Sequence, residues 1–352
     1  MKKTALSLAA LAALSLGTSA QAQTSVQVYG LVDAGVEYLN HANAAGDSVV
    51  KVVSGGKNTS RWGFRGSEDL GDGLKAIFGL EGGIMIDNGA ADGPLFKRQA
   101  YVGLDGKFGR AVIGRSFTTV YDFVIKYDPM GFAPNYSWAT SGNATGPSKY
   151  GMTTAFDNLI KYSGKAGDFT YGATIGLGEQ ASSAADSRKY AVAGAWNHGG
   201  LGLMAAFEQV NGNVLPATGN RDEARVFHLG ANYKAGDLHY FAAMRGYKQE
   251  RGNNAADVRA DTYWGGIVDT MGKVTLTGAV YHVNVKNVAD NLDADPTMLV
   301  LRGMYALSKR TDLYLSAAHV KGKHGQLVGL SRDDAGFGTS QTGVTAGIQH
   351  RF

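Results

Sequence analysis

The chain has 352 residues, with glycine at 50, proline at 6 and cysteine at 0. Lys and Arg total 34 against 30 Asp and Glu, a formal charge of +4; that near balance predicts no polyanionic partner, and the missing cysteine excludes disulfides, a thiol nucleophile and thiolate metal sites. Beyond the leader no apolar run approaches the ~20 residues of a membrane-crossing helix, which excludes a helical membrane protein.

The leader comes first. Met1-Lys2-Lys3 is basic, Ala5 to Leu16 is apolar, and Ala20-Gln21-Ala22 has the small-residue pattern of a cleavage site. Residues 1–22 therefore read as a cleaved signal peptide, and 23–352 as a single exported domain. From Val26 onward the period is two. Val26, Val28, Val32, Ala34 and Val36 share one parity, while Gln27, Tyr29, Asp33 and Glu37 share the other. Ala76-Phe78-Leu80 and Val274-Leu276-Gly278-Val280 repeat the pattern, and no long helical stripe interrupts it. The chain is predicted to be all-β.

Gly/Asp/Asn-rich clusters punctuate the strands at Gly71-Asp72-Gly73, Lys107-Phe108-Gly109, Ala166-Gly167-Asp168 and His198-Gly199-Gly200. Ala235-Gly236-Asp237, Met271-Gly272-Lys273 and Ser308-Lys309-Arg310 follow. Such clusters suit tight hairpins. Most successive centres lie about 36 residues apart, one unit of strand, long loop, strand and short turn. With Val26–Tyr38 and Thr342–Phe352 added, these hairpins predict sixteen strands. Longer polar segments near 39–57, 86–95, 116–155, 178–187, 211–224, 250–259, 286–296 and 322–341 alternate with the turns. Short periplasmic turns on one rim and long external loops on the other describe a sixteen-stranded antiparallel transmembrane β-barrel. The third long loop, about 116–155, exceeds its siblings by roughly 22 residues and is predicted to fold inward and narrow an aqueous lumen.

Ser60-Arg61-Trp62-Gly63-Phe64-Arg65-Gly66-Ser67-Glu68-Asp69-Leu70-Gly71-Asp72-Gly73 resembles a signature of the general porins of Gram-negative bacteria, in their neisserial and β-proteobacterial branch. Arg98-Gln99-Ala100-Tyr101-Val102-Gly103-Leu104, Phe108-Gly109-Arg110 and the closing His350-Arg351-Phe352 are similar to the same family. The resemblance implies an outer-membrane diffusion channel and a homotrimer of barrels, each passing small hydrophilic solutes and ions. It implies contact with outer-membrane lipids and lipopolysaccharide, and insertion by the barrel-assembly machinery, for which Phe352 is the terminal signal. By motif, Arg61 and Arg98 match wall arginines of the pore constriction, Glu81 a wall acid, and Asp122 the acid carried by the inward loop. Relatives commonly bear a further arginine entering the sixth strand. Here the run is Ala155-Phe156-Asp157-Asn158-Leu159-Ile160-Lys161-Tyr162, so Lys161 is the nearest cation and only a modest anion preference is expected.

A charge on the lipid face near the bilayer midplane costs about 2–4 kcal/mol, so Arg61 and Arg98 should point inward, with Arg65 sharing the parity of Arg61. Alternation leaves the direction of Glu81 open, since it shares parity with both Lys75 and Ile77. Asp128 is a second loop carboxylate assigned to the constriction. Tyr29, Trp62, Tyr101, Trp196, Tyr233, Trp264 and Phe352 are expected at the membrane interfaces, because a wide barrel needs no apolar core. The histidines have no paired metal spacing, and Asp290-Asn291-Leu292-Asp293-Ala294-Asp295 lacks the glycine and distal glutamate of a calcium loop. No catalytic, cofactor or metal site is predicted, nor nucleic-acid binding. The closest alternative is a substrate-specific porin whose loop aromatics Tyr121, Phe123, Tyr127, Phe132, Tyr136 and Trp138 form a binding ladder. An outer-membrane barrel enzyme is the more distant one.

Overall fold

A period-two chain puts every second side chain on one face, and its backbone groups must then bond laterally to neighbouring strands. In the computed structural model, which describes residues 25–141, 150–181, 183–286, 288–331 and 336–352, the result is one sheet of seventeen strand segments. The expected leader, 1–22, lies outside the described residues. The segments are β1 (Ser25–Leu39), β2 (Val49–Ser54), β3 (Arg61–Gly71), β4 (Leu74–Gly83), β5 (Gln99–Gly106) and β6 (Gly109–Phe117). Then come β7 (Ala155–Ala166), β8 (Phe169–Gly176), β9 (Lys189–His198), β10 (Leu201–Val214), β11 (Arg221–Ala235) and β12 (Leu238–Glu250). The last five are β13 (Val258–Met271), β14 (Val274–Lys286), β15 (Thr297–Ala306), β16 (Thr311–Lys321) and β17 (Ser340–Arg351).

All neighbours are antiparallel, and β17 pairs back onto β1, from Leu31 opposite Arg351 to Leu39 opposite Gly343. That pairing closes the sheet and leaves no edge exposed to lipid. β2 and β3 pair with successive stretches of β1, so they count as one interrupted strand and the cylinder has sixteen. The predicted hairpins are all present. Two departures concern the long loops. β2 lies inside the segment expected as loop 39–57, and β10 and β11 extend into the segment expected as loop 211–224. β2 continues the ladder on its own valine alternation, with Val50 and Val52 outward, and β10 and β11 do so because backbone pairing tolerates polar side chains.

The interruption between β2 and β3 has a local cause. Gly55 adopts a φ of +80° and donates its N–H to the Asp33 carbonyl at 2.8 Å. The Asp33 carboxylate accepts from the Asn58 N–H at 2.9 Å and the Tyr314 hydroxyl at 2.7 Å. Held there, the chain turns Lys57 into the interior.

Outward positions carry Val26, Val102, Ile113, Leu229, Leu301 and Leu315, all exposed. Such a surface is stable only against lipid. Inside, the third long loop begins with a short helix α1 (Thr119–Val124), capped by the Thr118 hydroxyl accepting from the Tyr121 N–H at 3.1 Å. The loop lies against β7 to β14 and buries Val120, Phe123, Val124, Tyr127, Met130, Trp138 and Ala139. The wall beneath is lined by small residues: Ala191, Ala193, Ala195, Ala206, Ala260 and Ala279 are buried. At Gly230 a Cβ would come within 3.0 Å of the Tyr127 ring, and at Gly266 within 2.7 Å of Pro129, so glycine is what lets the loop approach. The barrel therefore does have an apolar core, and one expectation is corrected. Trp264 is buried inside, its indole N–H donating to the Tyr127 carbonyl at 2.9 Å, and is no interface residue. Tyr29 and Tyr101 also face inward, because they oppose Gly63 and Gly79 on the inward parity.

Candidate functional site: a charged aperture beside the inward loop

Arg61 opens β3 opposite Leu31, an inward and buried residue, so its side chain enters the lumen. Arg65 follows on the same parity; its Nε donates to the Gln27 amide oxygen at 2.9 Å and its guanidinium lies 4.9 Å from the Tyr29 ring centroid. Glu81 of β4 opposes Gly63 and faces inward beside Ile77 rather than toward lipid. Arg98 sits one residue before β5, outside the ladder, where alternation no longer governs direction. Its Nε donates to Glu81 Oε1 at 2.7 Å, and it stacks over Phe117 at 5.1 Å. Arg61 Nε stands 3.9 Å from the other Glu81 oxygen, which also accepts from the Tyr29 hydroxyl at 2.9 Å. One carboxylate thus serves two guanidiniums. The carboxylate is covered, with 6% of its side chain exposed, while 28% of the Arg61 side chain remains open.

Facing this cluster across a small cavity are Tyr121, Ile125, Gly131 and Phe132 of the loop, with Asn58 and Thr59 completing the lining. Asp122 points to the other side. It pairs with Lys161, which β7 directs inward opposite Val112 and Thr174, and which also donates to the Phe117 carbonyl at 2.9 Å. Lys161 is therefore a neutralised cation. Asp128 departs from its expected place. It is 4% exposed and accepts from the Phe132 N–H at 2.7 Å and the Ser137 hydroxyl at 2.8 Å, as well as from the Tyr281 hydroxyl. That carboxylate ties the loop to the wall and does not face the opening.

Sequence reasoning missed the groups that hold the loop. Arg245, fully buried, donates to the Ala139 carbonyl at 2.6 Å, and Arg302 to the Met130 carbonyl at 3.3 Å. Glu208 accepts from the Thr153 N–H at 2.7 Å, and the Trp138 indole donates to the Leu330 carbonyl at 3.0 Å. Tyr136 donates to Glu37 at 3.0 Å; burial and that carboxylate push its phenol pKa well above the ordinary range. All but one of these contacts join residues about a hundred or more apart, and only an inward charged parity hints at them. The loop aromatics Phe123, Tyr127, Phe132, Tyr136 and Trp138 are buried, each stabilising the loop by about 1.5–3 kcal/mol, so they form no ladder open to solute. Phe352 lies on the outer surface, its ring over Gly30 and its backbone exchanging two 3.1 Å hydrogen bonds with that residue.

Comparison with known proteins follows the same lines. The family model of the Gram-negative porins matches residues 7–325. Outer membrane porin protein 32 of Delftia acidovorans is 35% identical, with the whole of both chains aligned, and an outer membrane porin protein of Bordetella pertussis is 30% identical over the whole of both. Among solved structures, an anion-selective porin from Comamonas acidovorans superposes with a TM-score of 0.81 at 30% identity, covering 94% of this chain and all of that one. OmpT of Vibrio cholerae, in its trimer form, shares the fold at a TM-score of 0.70 and 17% identity, covering 94% of this chain and 99% of that one.

Proposed function

We infer function from the premise that the chain belongs to the Gram-negative porin family, in its β-proteobacterial branch. It is an outer-membrane β-barrel channel through which small hydrophilic solutes diffuse passively. We propose that the constriction is formed by Arg61, Arg65, Arg98 and Glu81 on the wall and by the loop within about 116–155. Asp122 and Lys161 form a compensated pair at its far side. The anion preference named for the Comamonas porin extends to this chain in a modest form. The observation that carries it is the single covered Glu81 carboxylate between two guanidiniums, which leaves net positive charge with Arg61 as its open face.

Water-stripped apolar solutes meet a field there, while small anions exchange hydration for guanidinium contacts. The buried loop aromatics favour this reading over a substrate-specific porin. We assign no catalytic role and no cofactor. We further propose a homotrimer in contact with outer-membrane lipids and lipopolysaccharide, and Phe352 as the signal read by the barrel-assembly machinery. Deleting Phe352 should depress assembled protein in the outer membrane while sparing synthesis; normal levels would end the signal role. For selectivity, the zero-current potential of the purified channel in a KCl gradient should carry the sign of anion preference and shrink as salt rises. A clear cation sign would overturn it.

A further inference from the structure

A second cluster repeats the charge arithmetic of the first. On the inner wall, Asp312 Oδ2 lies 3.1 Å from Lys57 Nζ and 3.1 Å from Arg351 Nη1. Again one carboxylate sits between two cations; here the carboxylate and Lys57 are both covered and one cation is left open. The Asp312 side chain is 16% exposed and that of Lys57 9%, whereas Arg351 keeps 43% open. Lys57 is there only because the chain turns inward between β2 and β3. Arg351 is there because the final strand alternates: Val344 and Ile348 are exposed outside, Thr345 and Gln349 buried inside.

The two clusters share one row of the wall. Leu31 of β1 opposes Arg61 on one side and Arg351 on the other. Two inter-strand spacings therefore separate the two inward arginines, about 10 Å at the backbone. Strand tilt sets them at different depths. Arg351 is adjacent to the last short turn, its N–H donating to the Arg310 carbonyl at 2.8 Å, whereas Arg61 begins its strand far from the next short turn.

We propose that Lys57, Asp312 and Arg351 form a second anion station, on the short-turn side of the constriction, with Arg351 as the residue that meets the solute. The station rests on the anion-preferring reading above and extends it. Two net positive sites about 10 Å apart let a carboxylate or phosphate pass from one to the other, and favour small organic polyanions that engage both in succession.

The test is citrate block of single-channel current through the full-length protein refolded in detergent and placed in planar bilayers. Arg351→Gln should weaken the block about threefold, the size expected for one screened charge a few ångströms from the anion, while Arg351→Lys retains it. Asp312→Asn, which keeps the side-chain shape, should strengthen the block by a similar factor, and it serves if Arg351→Gln does not fold. Citrate block unchanged by these substitutions, or absent from the wild type, would overturn the station while leaving the constriction intact. A wild-type channel that prefers cations would instead overturn the reading on which the station rests.

Discussion

The two sides of the lumen wall are built on opposite plans. The arc of β1 to β5 with β16 and β17 carries Asp33, Lys57, Arg61, Arg65, Glu81, Asp312 and Arg351 inward. The arc of β9 to β14 carries alanine, glycine and a few buried polar anchors inward, and the loop covers it. The loop sits where side chains are small and the backbone can be approached. Water remains where charges are large and paired two to one. A barrel of this width is thus divided by residue size before it is divided by charge, and the aperture is displaced toward the charged arc. A loop held by isolated apolar contacts would slide. This one is fixed by hydrogen bonds from buried charged side chains to its backbone, which are costly to break in a dry environment.

Breaking the apolar side should have the largest effect. Asp128→Ala leaves the Phe132 N–H and the Ser137 and Tyr281 hydroxyls without their acceptor, at a cost of about 3 kcal/mol or more. The loop should then leave the wall. Single-channel conductance should rise and become heterogeneous, and trypsin should cut at the exposed Lys126 in folded barrels. Uniform wild-type conductance would show that the loop is held without this carboxylate.

On the charged side, Arg61→Gln combined with Arg98→Gln should abolish the anion preference. A charge about 4 Å from a passing ion is worth about 1 kcal/mol in water, or roughly fivefold in local concentration, and removing both guanidiniums leaves Glu81 uncompensated. An unchanged permeability ratio would remove both arginines from the ion path. Asp122→Asn should sharpen the contrast by a smaller amount. It frees Lys161 and shifts selectivity further toward anions, by less than one full exposed charge because Lys161 stays mostly covered. The smallest effect is expected from Arg251→Ala, an exposed residue between β12 and β13 whose charge is screened by solvent. A shift in reversal potential as large as that of Arg98→Ala would mean that the field is set by the rims and not by the aperture.

Much of the fold was legible in the sequence because hairpins and membrane strands are local. Gly and Asp at the turns and period-two alternation between them gave the strand count, the closure of β17 on β1, and the inward parity of Arg61 and Arg65. The excess length at 116–155 pointed to the inward loop. What stayed hidden was long-range. Asp33 stabilises the break before β3 from a strand earlier in the chain, and Asp128 is buried by Tyr281, 153 residues away. Trp264 looked like an interface aromatic because alternation gives no sign of which inward positions a loop will cover. Arg351 was legible only as part of the closing motif, and its inward placement beside Asp312 appears only in the folded barrel.

The most direct test of this division uses the absence of native cysteine, which makes any introduced thiol unique. Gln27→Cys places one on the charged arc, next to Arg65, and Ala206→Cys places one on the covered arc beneath the loop. A membrane-impermeant anionic thiol reagent, applied to channels in a bilayer, should modify Gln27→Cys at least about tenfold faster and reduce its current, because Ala206→Cys reacts only when the loop opens locally. Equal rates at the two positions would contradict the account, since the lumen would then be open on both sides.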